Sequence, residues 1–272
     1  MLEKFSKFFN YDFLDIPKKE YDKTLDINKQ DWIADVHNPY GIKDYEKLLG
    51  NRKANDLVVV GDFFDYLSVS RFPKRSQEVT KPEEEFINGF KSALKLSRLY
   101  NNIYFLMTNH DNRLDKYMYD NAPEKLIKFC HIGITKDLLN LIPNVRIVCQ
   151  KNGREVSHIW QYKDVVFTHF EKSSIDIGKP VQEIDKYLHK WKEIYKLKPF
   201  NVIVQAHNHN SAYCKVGSKR LYQIPCLINI DEIAFDYVFS GKPQGTPPTI
   251  GYIQAEFTNN KFDFNKSKIV EL

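Results

Sequence analysis

The chain has 272 residues, of which 42% are hydrophobic and 14% aromatic, with a formal net charge of +5. This content supports a substantial buried core and excludes an intrinsically disordered chain, and no apolar run approaches the roughly 20 residues of a membrane-spanning helix. The mild basic excess suits phosphate-bearing partners but is too small to establish nucleic-acid binding.

From Met1 to Asp22, Phe and Tyr alternate with Lys, Glu and Asp. The continuous apolar stretch of a secretory signal is missing, so a cytoplasmic protein is expected. Leu2, Phe5 and Phe9 fit one face of a short docking helix, while Asp12, Asp15 and Glu20 argue against a membrane surface. Residues 1–30 are therefore read as an N-terminal extension docking on the core, and 31–272 as a single domain.

Five short apolar runs follow, each leading into Asp, Asn or His. Trp32-Ile33-Ala34 leads into Asp35-Val36-His37, and Leu57–Val60 into Gly61-Asp62-Phe63-Phe64-Asp65. Ile103–Met107 leads through Thr108 into Asn109-His110-Asp111. Val165-Val166-Phe167 leads through Thr168 to His169, and Val202-Ile203-Val204 leads to Ala206-His207-Asn208-His209. Between the runs lie helical patterns. A helix over Ile42–Leu49 would stop at Gly50, and a clearer one starts at Pro82 with Glu83, Glu84 and Glu85 in its first turn. Phe86, Phe90 and Leu94 line its inner face. Residues 112–143 read as a mostly helical insertion.

The best helical period runs from Pro180 to Leu197, with Ile184, Tyr187, Leu188, Trp191, Ile194 and Tyr195 on one stripe. The aromatic members of that stripe read as core, not as a base-stacking platform. Strands are expected at Ala212–Val216, Arg220–Ile224, Thr249–Phe257 and Phe262–Val270, around a Pro/Gly-rich loop at Gly241–Pro248. Cys130, Cys149, Cys214 and Cys226 form no C-x-x-C pair and read as small buried hydrophobes. His131, His158 and His189 stand outside the motifs, and His189 lies off its helix's apolar stripe.

Strands that are apolar throughout are buried on both faces, and open α/β sheets place ligands beyond the carboxyl ends of their strands. Two carboxylates, one carboxamide and four or five imidazoles would thus converge on one point. Such mixed oxygen and nitrogen donors suit Mn²⁺, Fe, Zn²⁺ or Ni²⁺, and the lack of thiolates argues against structural zinc or an iron–sulfur cluster. If the chain is extended there, D-x-H and H-x-H spacing would aim both side chains the same way. The residues read as a two-metal hydrolase.

The ordered set Asp35-x-His37, Gly61-Asp62-x-x-Asp65, Asn109-His110-Asp111, His169 and His207-x-His209 resembles the calcineurin-like metallophosphoesterase superfamily. The motifs span residues 35–209. The stretch Gly61–Phe72 is also similar to phage-borne members, which would place the protein in a host cytoplasm. The resemblance implies a four-layer α/β/β/α sandwich with two mixed sheets. It implies two divalent metal ions, Mn²⁺ first, bridged by Asp62, one held also by Asp35, His37 and His209, the other by Asn109, His169 and His207. His110 would face the substrate as general acid or positive donor, oriented by Asp111. A hydroxide bridging the metals would attack the phosphorus, and two such ions over two carboxylates leave net positive charge for the phosphate.

Thr108 and Ala206 stand where the family commonly has Gly. The Arg-Gly that follows the second Asp in protein Ser/Thr phosphatases is absent after Asp65, and Asp111 replaces their Glu. Thr108 puts in question the tight turn usual there, and the last two departures point toward the phosphodiesterase and nuclease side of the superfamily, so a phosphodiesterase acting on nucleotides or nucleic acid is preferred. The alternatives are a phosphomonoesterase of proteins or small molecules, and a catalytically silent adaptor. Asp65 reads as a partner of the ligands or as a cap of the next turn. Arg113 could reach a phosphate or make a surface ion pair. The basic loop Arg71, Lys74, Arg75 and the segment Glu171–Ser174 could contact substrate or be solvated.

Overall fold

The structure is a computed structural model and describes residues 6–7, 16, 20–71, 80–123, 133–149, 151–152, 155–156, 158–172, 174, 176–231 and 248–272. In chain order the first half holds β1 (Asp26–Ile33), α1 (Tyr45–Leu49), β2 (Ala54–Val59), α2 (Pro82–Leu99), β3 (Asn102–Phe105), α3 (Arg113–Asn121), α4 (Ile134–Leu139) and β4 (Val145–Ile147). The next stretch holds β5 (Lys151–Asn152), β6 (Glu155–Val156), β7 (Ile159–Tyr162), β8 (Val165–Thr168), α5 (Lys179–Trp191) and β9 (Val202–Gln205). Last come β10 (Ala212–Val216), β11 (Lys219–Gln223), β12 (Gly251–Thr258), β13 (Lys261–Phe262) and β14 (Lys268–Glu271).

Alternation along the strands explains the layering. Ile33, Leu57, Val59, Ile103 and Phe105 point to one side, where they meet Phe86, Phe90, Ala93 and Leu96 of α2, with Tyr45 and Leu138. Their neighbours Trp32, Val58 and Val60 point to the other side, against Phe167, Val204 and Tyr222 of a second sheet. On the far side of that sheet, Val166, Ile203 and Leu221 pack on Val181, Ile184 and Leu188 of α5. The result is a four-layer α/β/β/α sandwich, as expected. The first sheet runs β13-β12-β1-β2-β3-β4 with β14 also on β12, and the second runs β10-β11-β9-β8-β7. Both are mixed. β1 to β4 are parallel while β12 is antiparallel to β1, and β8, β9 and β11 are parallel between antiparallel edges.

Several elements differ from the sequence reading. α1 starts at Tyr45, because Asp44 has φ 59°, a left-handed conformation that ends a helix running back to Ile42. On α2, Leu94 is only partly buried, and Ala93 and Leu96 continue the inner line from Phe90. α5 stops at Trp191, so Ile194 beyond it is exposed while Tyr195 is buried, and within the helix Tyr187 lies at the exposed edge of the stripe. The single strand expected over Phe262–Val270 is two, β13 and β14, both pairing with β12. Asp263 divides them: its carboxylate accepts the Asn265 N–H and its carbonyl accepts from Ser267, closing a turn. Cys226 is buried, whereas Cys149 and Cys214 are half-buried; Cys130 and His131 lie outside the described residues.

β1 opens at Asp26, inside the segment read as an extension, and Asp22 exchanges hydrogen bonds with Asn101. Leu2, Phe5 and Phe9 lie outside the described residues, as do 124–132 of the helical insertion and 241–247 of the Pro/Gly-rich loop. No helix among the described residues is long and apolar enough to cross a membrane.

Candidate metal centre

The parallel strands β1, β2, β3, β8 and β9 all deliver their motifs to one end of the sandwich. Backbone hydrogen bonds continue past the strand ends, Asp35 N–H to Gly61 O, His37 N–H to Asp62 O and Ala206 N–H to Thr168 O, so the loops are held to one another. The extended geometry expected for D-x-H and H-x-H is not what brings the side chains together. Asp35, His37, Asp62, His207 and His209 have φ of 49°, 53°, 49°, 81° and 57°. Each left-handed residue costs on the order of 1–3 kcal/mol, and such strain persists where the surroundings enforce it.

Three sets of side chains have candidate ligand atoms within 4.8 Å of one another: Asp35, His37 and His209; Asp62, His169 and His207; and His37, Asp62 and His110. The first set is the trio Asp35, His37 and His209 that the resemblance groups together, and the second brings His169 and His207 together with Asp62 but does not include Asn109. Asp35, Asp62, His37 and His169 are buried. Asp35 Oδ2 accepts the His207 N–H at 3.0 Å, leaving Oδ1 toward His209 Nε2 at 3.4 Å and His169 Nε2 at 3.9 Å. His169 Nδ1 donates to the Val60 carbonyl at 2.8 Å, which turns Nε2 inward to within 3.0 Å of Asp62 Oδ2. His37 Nδ1 donates to Asp65 Oδ1 at 2.8 Å, again presenting Nε2. Gly61 makes this approach possible: a Cβ there would lie 2.5 Å from both His169 Nδ1 and Thr108 Oγ1.

Asp35 Oδ1, Asp62 Oδ2, Asn109 Oδ1, His169 Nε2 and His207 Nδ1 are all buried with no hydrogen bond among the described residues. Burying a polar atom unpaired costs about 1–3 kcal/mol. A carboxylate and imidazole set open in this way is the donor set a divalent transition ion fits. The field has the same sense. Burial lowers the affinity of His169 for a proton, but the negative charges of Asp62 and Asp35 outweigh it and push its pKa up to about 10. Burial and the neighbouring His169 charge hold His207 down to about 4.

Asp65 belongs to this architecture. Its Oδ1 accepts from both His37 Nδ1 and His110 Nδ1, the latter at 2.6 Å, and from Arg113 Nη1 at 3.3 Å. Asp111, expected to orient His110, does something else. Its Oδ1 accepts the N–H groups of Phe63 and Phe64, and its Oδ2 those of Asp62 and Thr108. It shapes the loop carrying Asp62, and Asp65 holds His110. Burial and the charge of Asp62 raise the pKa of Asp111 to about 6.

His110 also differs from the positive donor implied by the resemblance. Arg113 Nη2 lies 2.7 Å from His110 Nε2. Since the guanidinium can only donate and Nδ1 donates to Asp65, the ring is neutral as placed. The adjacent positive charge is Arg113. Arg71 is exposed and paired with Asp120 of α3, away from the cluster. Lys74, Arg75 and Ser173 lie outside the described residues, and Glu171 and Lys172 are exposed.

Sequence reasoning marked Thr108 only as a departure from Gly and missed its hydroxyl contact with Asp62, and it read Glu85 only as a first-turn acid of its helix, missing its hold on the turn after Asp65. His189 is exposed as expected, and His158 contributes its carbonyl to the His169 N–H.

No curated protein matches the sequence. Among solved structures, zinc-complexed Vps29 from Entamoeba histolytica is similar at 9% identity, with 90% of this chain and 98% of that one covered and a TM-score of 0.43. A novel archaeal phosphodiesterase is similar at 12% identity, 89% and 99% coverage and a TM-score of 0.42. A predicted phosphoesterase from Streptococcus pneumoniae is similar at 12% identity, 90% and 98% coverage and a TM-score of 0.34. The sequence profile of the calcineurin-like phosphoesterases matches residues 31–241, most of the chain. The chain belongs to the calcineurin-like phosphoesterase family.

Proposed function

We propose that the protein is a metal-dependent phosphodiesterase of nucleotides or nucleic acid, with Asp35, His37 and His209 holding one ion, Asn109, His169 and His207 the other, and Asp62 shared. The observation that carries this reading is the group of buried ligand atoms left without hydrogen bonds at a single strand-end cluster. Two divalent ions, Mn²⁺ first among them, would supply Lewis acidity toward a phosphate ester and its attacking water when bound there.

The chain's own residues do the rest. Asp65 fixes the rings of His37 and His110 through one carboxylate oxygen. Arg113 supplies a cation for a phosphoryl oxygen. His110 Nε2, which accepts from Arg113, can take up or return a proton at the ester oxygen when the guanidinium turns to substrate. Arg113 is the one guanidinium hydrogen-bonded to the cluster among the described residues. A single cation suits the monoanion of a diester better than the dianion of a monoester. The same unpaired atoms weigh against a catalytically silent adaptor, because a closed site would gain by pairing them. The absence of a spanning helix among the described residues is compatible with a cytoplasmic enzyme.

Bis-p-nitrophenyl phosphate and p-nitrophenyl phosphate, compared with purified protein and Mn²⁺, test the reading. Faster hydrolysis of the diester, abolished by EDTA, is expected. Metal-independent turnover would overturn the mechanism, and a faster monoester would replace the substrate class. A panel of DNA, RNA and cyclic nucleotides then narrows the substrate.

A further inference from the structure

Thr108 lies just past β3, fully buried against the loop that carries Asp62. Its hydroxyl has one proton and two neighbouring carboxylate acceptors, Asp62 Oδ1 at 2.6 Å and Asp111 Oδ2 at 3.3 Å. The shorter contact takes the proton. The same hydroxyl oxygen accepts the Asp62 backbone N–H at 2.8 Å. One side chain therefore grips both the main chain and the side chain of Asp62. The His110 N–H adds a second, longer bond to Asp62 Oδ1 at 3.2 Å. By contrast, Asp62 Oδ2 has no hydrogen bond and faces His169 Nε2 at 3.0 Å and His110 Nε2 at 3.8 Å.

The grip is itself held in place. The Thr108 N–H donates to Asp111 Oδ2 at 2.9 Å. Its methyl fills the space over Gly61, where an added Cβ would lie 2.6 Å from Thr108 Cγ2. The backbone bond fixes where the side chain starts, and rotating the hydroxyl away from Asp62 would move the methyl from its place over Gly61.

We infer that Thr108 is a positioning residue that reserves Asp62 Oδ2 alone for the metal ions. This rests on the metal-centre reading above. A carboxylate free to turn can bridge two cations through both oxygens or through one, and the two modes set different metal spacings. A hydroxyl donating to Oδ1 removes that oxygen from the choice. It also draws charge from the carboxylate, so less is neutralised at the ions and more of their attraction is left for phosphate. Groups that hydrogen-bond a metal ligand in this way change metal affinity or activity about 10–100-fold when removed.

The test compares wild type, Thr108→Ser and Thr108→Val as full chains. Mn²⁺ affinity is read by calorimetric titration, and the spin coupling of the loaded pair by electron paramagnetic resonance. Ser keeps the hydroxyl and should retain tight binding of two ions and the wild-type coupled spectrum. Val keeps the shape and should weaken binding about 10–100-fold and alter or abolish the coupling. If Thr108→Val does not fold, Thr108→Ala against Thr108→Ser makes the same comparison. Unchanged affinity and coupling in the hydroxyl-free variant would overturn the role of Thr108 and leave the metal centre standing. Wild-type protein that binds no pair of Mn²⁺ ions would overturn the metal centre, and this inference with it.

Discussion

Midway along β1 and β2, Asp31 and Asp56 are as deeply buried as Asp35 and Asp62 just past the ends of the same strands. Their surroundings differ. Asp31 accepts the Tyr100 hydroxyl at 2.8 Å on one oxygen and Arg52 Nη1 at 3.2 Å on the other. Asp56 accepts Gln30 Nε2 at 3.1 Å on one oxygen and the amides of Asn55 and Asn102 on the other, while Gln30 Oε1 accepts the Trp32 indole N–H. Every carboxylate oxygen in the mid-strand network is paired. At the strand ends, each carboxylate has one oxygen pinned and one left open. A fold able to satisfy the first network leaves the second open a few residues away, so the openness is a property of the site and not of the packing.

The largest test of that contrast exchanges one carboxylate at each end. Asp62→Asn should reduce Mn²⁺-dependent hydrolysis of bis-p-nitrophenyl phosphate by more than about 100-fold, beyond the usual effect of a supporting residue. Melting of the metal-free protein should change less than in Asp31→Ala. Asp31→Ala should do the reverse, removing about 1–3 kcal/mol of stability by taking away the acceptor of the Tyr100 hydroxyl and one of the two carboxylates beside Arg52, with turnover per folded molecule retained. Thermal melts in EDTA, alongside kcat/KM with Mn²⁺, check both. If the two variants lose the same property, the two ends are not different in kind.

The next test uses the metal as a ligand of the folded state. Mn²⁺ at about 100 times its dissociation constant should stabilise wild type by about 2.7 kcal/mol. Asp31→Ala should gain as much from a lower baseline, and Asp62→Asn should gain little. Chemical denaturation with and without Mn²⁺ measures the difference.

How much of this was legible in the sequence follows from the same contrast. The cluster could be read because its side chains are Asp, Asn and His, each placed just after an unbroken apolar run, and such runs become the buried strands of the two sheets. The four layers follow from the same alternation. What could not be read is how the loops hold those side chains. Asp35, His37, His207 and His209 converge through left-handed backbone, not through an extended chain, and the only trace is that Asp and His tolerate positive φ better than most residues. The acceptor of backbone N–H groups at Asp111, the double role of Asp65 and the capture of Arg71 by Asp120 depend on loop paths that residue types do not encode. Asp263 and Asn265 did signal a turn inside the strand expected at Phe262–Val270, and the apolar residues on either side masked it.

Arg113 sharpens the contrast from the substrate side. Arg113→Ala should lower kcat/KM for the diester about 10–100-fold with both Mn²⁺ ions still bound, because it removes a cation without touching a metal-holding residue. Arg113→Lys should recover only part, since Lys lacks the planar fork that spans Asp65 and His110. Loss of metal in Arg113→Ala would instead assign the residue to support of the ligands through Asp65.

Glu85 is the smallest test, and it sits between the two kinds of carboxylate. It is fully paired, accepting the Leu67 and Ser68 N–H groups, the Ser68 hydroxyl and the Tyr40 hydroxyl, yet it anchors the turn directly after Asp65. Burial, with the nearby Asp65 charge, raises its pKa from 4.5 to about 7. Between those values the folded state holds a proton that the unfolded chain has released. Its contribution to stability is therefore fully present below pH 4.5 and is lost as pH rises through about 7, at no more than about 1.4 kcal/mol per pH unit. Metal-free wild type should accordingly lose stability between about pH 5 and 8 more steeply than Glu85→Gln, which cannot release that proton. Parallel melting curves for the two proteins across that range would place the titration elsewhere and make Glu85 an ionised anchor of the turn.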